Sequence, residues 1–310
     1  MAAASFLLSP FLRAWPRVAQ RSLGASELEL ELLDDAAGLV LYQGDSVVGW
    51  GADQRETTLP ALISEHARLP LMDVSHAAYG PRLFVAQLRY LERRGIAPSG
   101  HLVGLSLASL GPFREGYPAW RFGARAFALT HGWELPVRGA AVLKHRFGAL
   151  SDEEFARIPL RSGDGVVGTL GELTPRPDRA EPPRDDPARL RLALLAAYGR
   201  PLAESEQLPE LRVLFATLAR SGRQHLVYLT PFDHELAARH LDGPERARIQ
   251  ANRAELARFA AEAGVRYLDL GAELSSADFD AAHGAPTEHL NATGRRDLAV
   301  LLVRALRETR

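Results

Sequence analysis

The chain has 310 residues, of which 46% are apolar and 24% charged, enough for one large α/β domain or two small ones and too apolar for global disorder. Its 37 basic and 38 acidic residues leave a net charge of −1, without the clustered basic excess that nucleic acid requires. There is no cysteine, which excludes disulfides, thiolate nucleophiles and cysteine-based zinc sites.

Residues 1–35 read as an N-terminal extension. Phe6-Leu7-Leu8 and Phe11-Leu12 form a short apolar patch broken by Pro10 and Arg13. The patch lacks the basic start of a signal peptide and the ~20 apolar residues of a membrane span. A docked or frayed helix is expected there, with the remnant of a membrane anchor as the alternative.

Five short apolar runs, 38–43, 70–74, 101–107, 225–230 and 265–269, predict buried parallel strands. Helix-period stretches alternate with them. Residues 81–95 begin with Pro81 and end with Gly95, the asymmetry expected of a helix. Residues 244–264 carry Ile249, Leu256, Phe259 and Ala260 on one side, and 292–308 carry Leu298, Leu301, Leu302 and Leu306. Such alternation predicts a doubly wound, mainly parallel five-stranded sheet in a three-layer α/β/α domain over 36–310.

The stretch 113–222 breaks the alternation and is expected to form an inserted cap of helices and a hairpin beside the strand ends. Within it, 156–173 reads as a hairpin around Gly163-Asp164-Gly165. Residues 174–188, rich in Pro, Arg and Asp, read as an exposed loop. Residues 189–222 return to helical periodicity.

Several patterns suggest chemistry and lack the context for it. Gly163-x-Gly165-x-x-Gly168 matches a dinucleotide fingerprint, but it lies inside the hairpin pattern with no helix opening after it. Gly104-Leu105-Ser106-Leu107-Ala108 approximates the nucleophile elbow of α/β-hydrolases, which needs a helix directly after the serine. Leu110-Gly111-Pro112 stops any such helix within a turn, so Ser106 is only an alternative nucleophile. Asp233-His234-Glu235 follows a strand end and reads as a solvated loop start before it reads as a metal site.

Gly44-Asp45-Ser46 has more behind it. The run Leu39-Val40-Leu41-Tyr42 feeds into it, and strand ends are where α/β folds collect ligands. Asp45 or Ser46 would also serve as an ordinary helix cap. Far along the chain, His289 lies just ahead of the final helix, with Asn291 or Thr293 available to cap it. A serine after the first strand and a histidine before the last helix can meet at one edge of the sheet as nucleophile and base.

With these two blocks the chain resembles the SGNH or GDSL-type hydrolases. Gly44-Asp45-Ser46 resembles their first block, and His289-Leu290-Asn291-x-x-Gly294 their last. Gly80 matches the glycine whose N–H helps hold the oxyanion, and Ser106 occupies the position where the family usually has an asparagine. The resemblance covers roughly 36–110 and 224–308. The segments TPFDHEL and EHLNATGR are similar to the membrane-associated branch that acts on cell-envelope polymers, such as alginate O-acetyltransferases and the lipoteichoic-acid D-alanylation protein.

The resemblance implies an esterase or acyltransferase acting through a Ser46 acyl-enzyme. His289 would be the base, and the oxyanion donors would be the N–H groups of Ser46 and Gly80 with the Ser106 hydroxyl. No cofactor or metal is implied. The partner would be an acyl-ester or glycan substrate, with a membrane-associated partner and an extracytoplasmic location if the branch holds; otherwise the expected location is cytoplasmic. Two departures stand out. The family's acid precedes the histidine by three residues, where this chain has Pro286. Glu288 is adjacent to His289, and Asp280-x-x-His283 has the family spacing six residues too early, so Glu288 and Asp280 both remain open. Ser106 in place of asparagine leaves a shorter donor. A catalytically impaired binding protein of the same fold is therefore the alternative function.

Overall fold

The computed structural model describes residues 36–48, 58–76, 79–111, 159–162, 165–169, 186–280 and 288–308. Its strands are β1 (Val40–Gln43), β2 (Leu71–Asp73), β3 (Gly100–Leu105), β4 (Pro159–Ser162), β5 (Gly165–Thr169), β6 (Gln224–Leu229) and β7 (Tyr267–Asp269). Its α-helices are α1 (Leu59–Ala67), α2 (Pro81–Arg93), α3 (Pro187–Tyr198), α4 (Leu208–Arg220), α5 (His234–His240), α6 (Gly243–Glu262) and α7 (Ala292–Arg307).

All five expected apolar runs form strands of one parallel sheet in the order β2-β1-β3-β6-β7. Alternation along each strand sends Leu41, Val103, Leu105, Val227 and Leu229 to one face and Tyr42, Leu102, Leu226 and Tyr228 to the other. The first face is covered by α2, α4 and α6 through residues such as Phe84, Phe215 and Leu256. The second is covered by α1 and α7 through Ile63, Leu298 and Leu302. This is the three-layer α/β/α class expected from the sequence. The strand order reverses at β1, so the loops leaving β1 and β3 flank the switch point where such sheets take ligands.

A buried polar pair sits in the second face. The hydroxyls of Tyr42 and Tyr228 are 2.5 Å apart, and burial pushes both phenols up. Gly104 leaves the room: a Cβ there would stand 2.7 Å from the Tyr228 hydroxyl.

The expected hairpin is present as antiparallel β4 and β5, with Ser162 opposite Gly165. Most of the stretch expected to form a cap, including 174–185 of the exposed loop, lies outside the described residues, as does the extension 1–35. Helices α3 and α4, which end that stretch, are layer helices. Leu194, Leu195, Leu211, Leu214 and Leu218 share the core of the first face, and α4 lies against α2.

Candidate active site

The loops at the carboxyl ends of the strands converge. Gln43 closes β1 fully buried; its amide donates to the Phe84 carbonyl (3.1 Å) and to Gln87 Oε1 (2.7 Å), tying the strand end to α2. The chain then passes Gly44 and Asp45 into a short 3₁₀ turn, Ser46–Val48. Asp45 is buried, and its Oδ1 accepts the Val47 N–H at 3.0 Å. The capping task thus falls to Asp45. The Ser46 hydroxyl lies 3.0 Å from His289 Nε2.

His289 reaches that point for local reasons. Asn291 is the N-cap of α7 and accepts from the N–H groups of Thr293 and Gly294. Phe279 and Leu290, both buried, form an antiparallel bridge. Beside it the Asn291 N–H donates to the Asp278 carbonyl (3.0 Å) and the Asp280 N–H to the His289 carbonyl (2.9 Å). Buried Arg295 donates to the Leu290 carbonyl at 2.6 Å. A side chain at Gly294 would overlap the Asp278 carbonyl oxygen. Each letter of the His-Leu-Asn-x-x-Gly block therefore has its own physical job.

The two candidate acids lie in different places. Glu288 is buried, and its carboxylate accepts from the Ala108 N–H (3.3 Å) and the Thr230 hydroxyl (3.4 Å) at the ends of β3 and β6. Asp280 is the residue directly opposite His289 across the bridge. Phe279 and Leu290 turn into the core, and Asp280 and His289 are the next pair in the backbone register. His283 lies outside the described residues.

Gly80 is the N-cap of α2 and lies against the loop after β3, where a Cβ on it would be 3.9 Å from Ser109 Cβ. The preceding loop is tied to the serine loop by the His76 N–H, which donates to the Gly44 carbonyl (3.2 Å). Ser106 is 2% exposed; its Oγ accepts the Ser109 N–H at 3.3 Å. A 3₁₀ turn, Ala108–Leu110, follows it in place of the α-helix a nucleophile elbow requires.

Tyr198, the last residue of α3, belongs to no sequence motif, and nothing in the chain's patterning marks it for this edge. It is fully buried, and burial first, then Glu288, Asp233 and Asp45, push its phenol up. Asp233 caps α5 by accepting the Leu236 N–H (2.8 Å) and also accepts from Ser276 Oγ (2.5 Å). Among the described residues no group of three or more His, Cys, Asp or Glu is placed to hold a metal ion, and no helix is long and apolar enough to cross a membrane.

No protein-family model matches the sequence, and no curated protein matches it. Its structural neighbours include esterases. The native M. smegmatis aryl esterase is 10% identical with a TM-score of 0.38, covering 88% of this chain and 99% of that one. Axe2, an acetylxylan esterase from Geobacillus stearothermophilus, is 13% identical with a TM-score of 0.39, covering 86% and 93%. A lipolytic-type protein of the G-D-S-L family from Desulfitobacterium hafniense is 9% identical with a TM-score of 0.35, covering 86% and 98%. Likenesses this distant assign neither a reaction nor a substrate.

Proposed function

We propose that this chain is a serine esterase or O-acyltransferase working through an acyl-enzyme on Ser46. The observation that supports the reading above all others is the 3.0 Å contact between Ser46 Oγ and His289 Nε2 at the ligand-binding edge of the sheet. In the proposed reaction Ser46 Oγ bonds to the acyl carbon while His289 Nε2 takes its proton. The carbonyl electron pair moves onto oxygen. Collapse expels the alcohol, which leaves with the proton from His289. Water, or an acceptor hydroxyl, then attacks the same carbon, giving its proton to His289, and collapse breaks the acyl–Oγ bond as His289 returns that proton to Ser46 Oγ.

The proposed oxyanion donors are the N–H groups of Ser46 and Gly80 and the Ser106 hydroxyl. Ser46 opens its 3₁₀ turn and Gly80 is an N-cap, so neither N–H is used by its own turn. Ser106 accepts from Ser109, which leaves its hydroxyl hydrogen to donate. For the acid we propose Asp280 acting on His289, supported by their opposition across the bridge. Glu288 is proposed as an anchor that ties the histidine loop to the ends of β3 and β6. The substrate proposed is an acyl ester carried by a glycan. A cell-envelope polymer and a membrane-associated partner are proposed on the resemblance of TPFDHEL and EHLNATGR alone.

A fluorophosphonate probe tests the reading. It is expected to label the full-length protein at Ser46 and to leave Ser46→Ala unlabelled. Labelling that persists in Ser46→Ala, or none in the folded wild type, would overturn it. The second reading, a binding module of the same fold, is favoured by one observation: buried Ser106 already serves Ser109 where an amide would be a longer and firmer donor.

A further inference from the structure

A cavity of about 420 Å³ opens at the opposite edge of the sheet, between the carboxyl ends of α2 and α4. It is floored by His101 near the start of β3, five residues before Ser106, or ~17 Å along the strand. The volume lies within the range of small-molecule sites, about 300–1,000 Å³. Arg89, Arg220 and Arg223 line it together with one carboxylate, Glu92.

Arginines gather at helix carboxyl ends to complement the helix dipole, so they do not mark a site by themselves. Two further observations do. Among the described residues none of these three guanidinium groups has an ion-pair or side-chain hydrogen-bond partner, whereas Arg253 and Arg258 elsewhere on the surface are paired. His101 is 5% exposed, and its Nδ1 is buried without a hydrogen-bond partner. A buried imidazole nitrogen with no partner in the wall of a basic cavity is a polar group that a bound molecule could satisfy.

We propose that this cavity binds a small organic polyanion bearing phosphate or carboxylate groups, held by Arg89, Arg220 and Arg223 with His101 beneath it. Guanidinium forks match both groups, and Leu88 and Leu218 supply apolar wall for the body of the ligand. The groups that face His101 agree with an anion. Arg89 and Glu92 come from α2, Arg220 from α4, and Arg223 and His225 from β6 and its approach. Burial, then Arg223 and His225, hold the imidazole down at about 4, so it is neutral at pH 7 and would donate one N–H to the ligand. The site is independent of the Ser46 chemistry.

Titration calorimetry on the full-length protein tests this, using pyrophosphate and citrate separately with sodium chloride fixing the ionic strength. Binding of one equivalent with Kd below about 1 mM is expected for at least one of them. The anion that binds tells phosphate from carboxylate. Arg223→Gln or Arg220→Gln, each checked for native circular dichroism, should weaken binding by about tenfold or more. The proposal is overturned if neither anion binds the wild type, or if both variants bind as the wild type does.

Discussion

Ser46 and His289 are 243 residues apart in the chain, and their side chains meet at 3.0 Å. The serine leaves the central strand β1, and the histidine is held by the cap of the closing helix α7. Two rigid elements thus present one hydrogen bond, and the proposed reaction turns on it.

Residues that act as a unit lose their effect together. Ser46→Ala and His289→Ala should each lower kcat on p-nitrophenyl acetate by several orders of magnitude, and the double variant should cost little more than either. Steady-state kinetics with matched melting curves would check it. Losses that multiply in the double variant would separate the two residues.

Asp280→Asn should lower kcat by roughly 10²–10⁴ and move the acidic limb of the kcat/KM profile to lower pH. A carboxylate facing the imidazole favours its charged form, so removing that carboxylate lowers the pH at which the base titrates. Glu288→Gln should leave that limb in place and instead lower the urea midpoint, because it disturbs a buried acceptor of the Ala108 N–H and the Thr230 hydroxyl. The reverse pattern would make Glu288 the acid.

Gly294→Ala forces the start of α7 off the Asp278 carbonyl, and with it the bridge that carries His289. The expected cost is about 1–3 kcal/mol of stability together with a fall in kcat, read from urea unfolding and esterase assays. A variant with wild-type values in both would show that this contact does not position the histidine.

His101 makes stability depend on pH. Its imidazole is held at about 4 in the folded chain and returns to about 6.5 when unfolded. Between these values the unfolded chain binds more protons. The contribution is therefore full above pH 6.5 and is lost as pH falls towards 4, by about 3 kcal/mol. Urea unfolding at pH 7.5 and 4.5, in chloride buffers, should show that difference shrink by this amount in His101→Phe. An unchanged difference would place the linkage elsewhere.

The strand framework and the two segments that carry Ser46 and His289, the ends of the proposed site, were legible because their causes are local. Each strand of the parallel sheet is an apolar run readable from its own residues, as the six buried positions of β3 illustrate. Leu290 fills the core, Asn291 caps α7 and Gly294 clears a carbonyl within six residues of one another, so their pattern survives in the sequence. Asp280 was legible only as the start of a spacing with His283. Its opposition to His289 is a matter of register in an isolated bridge, which the packing of Phe279 and Leu290 sets. The direction of Glu288, towards Ala108 and Thr230, depends on the ends of two strands far from it in sequence. Helices α3 and α4 read as part of an insertion because periodicity tells that a helix has an apolar face and not what that face will meet. Only the folded chain sets them against the sheet, and only there do α2 and α4 leave the basic cavity over His101.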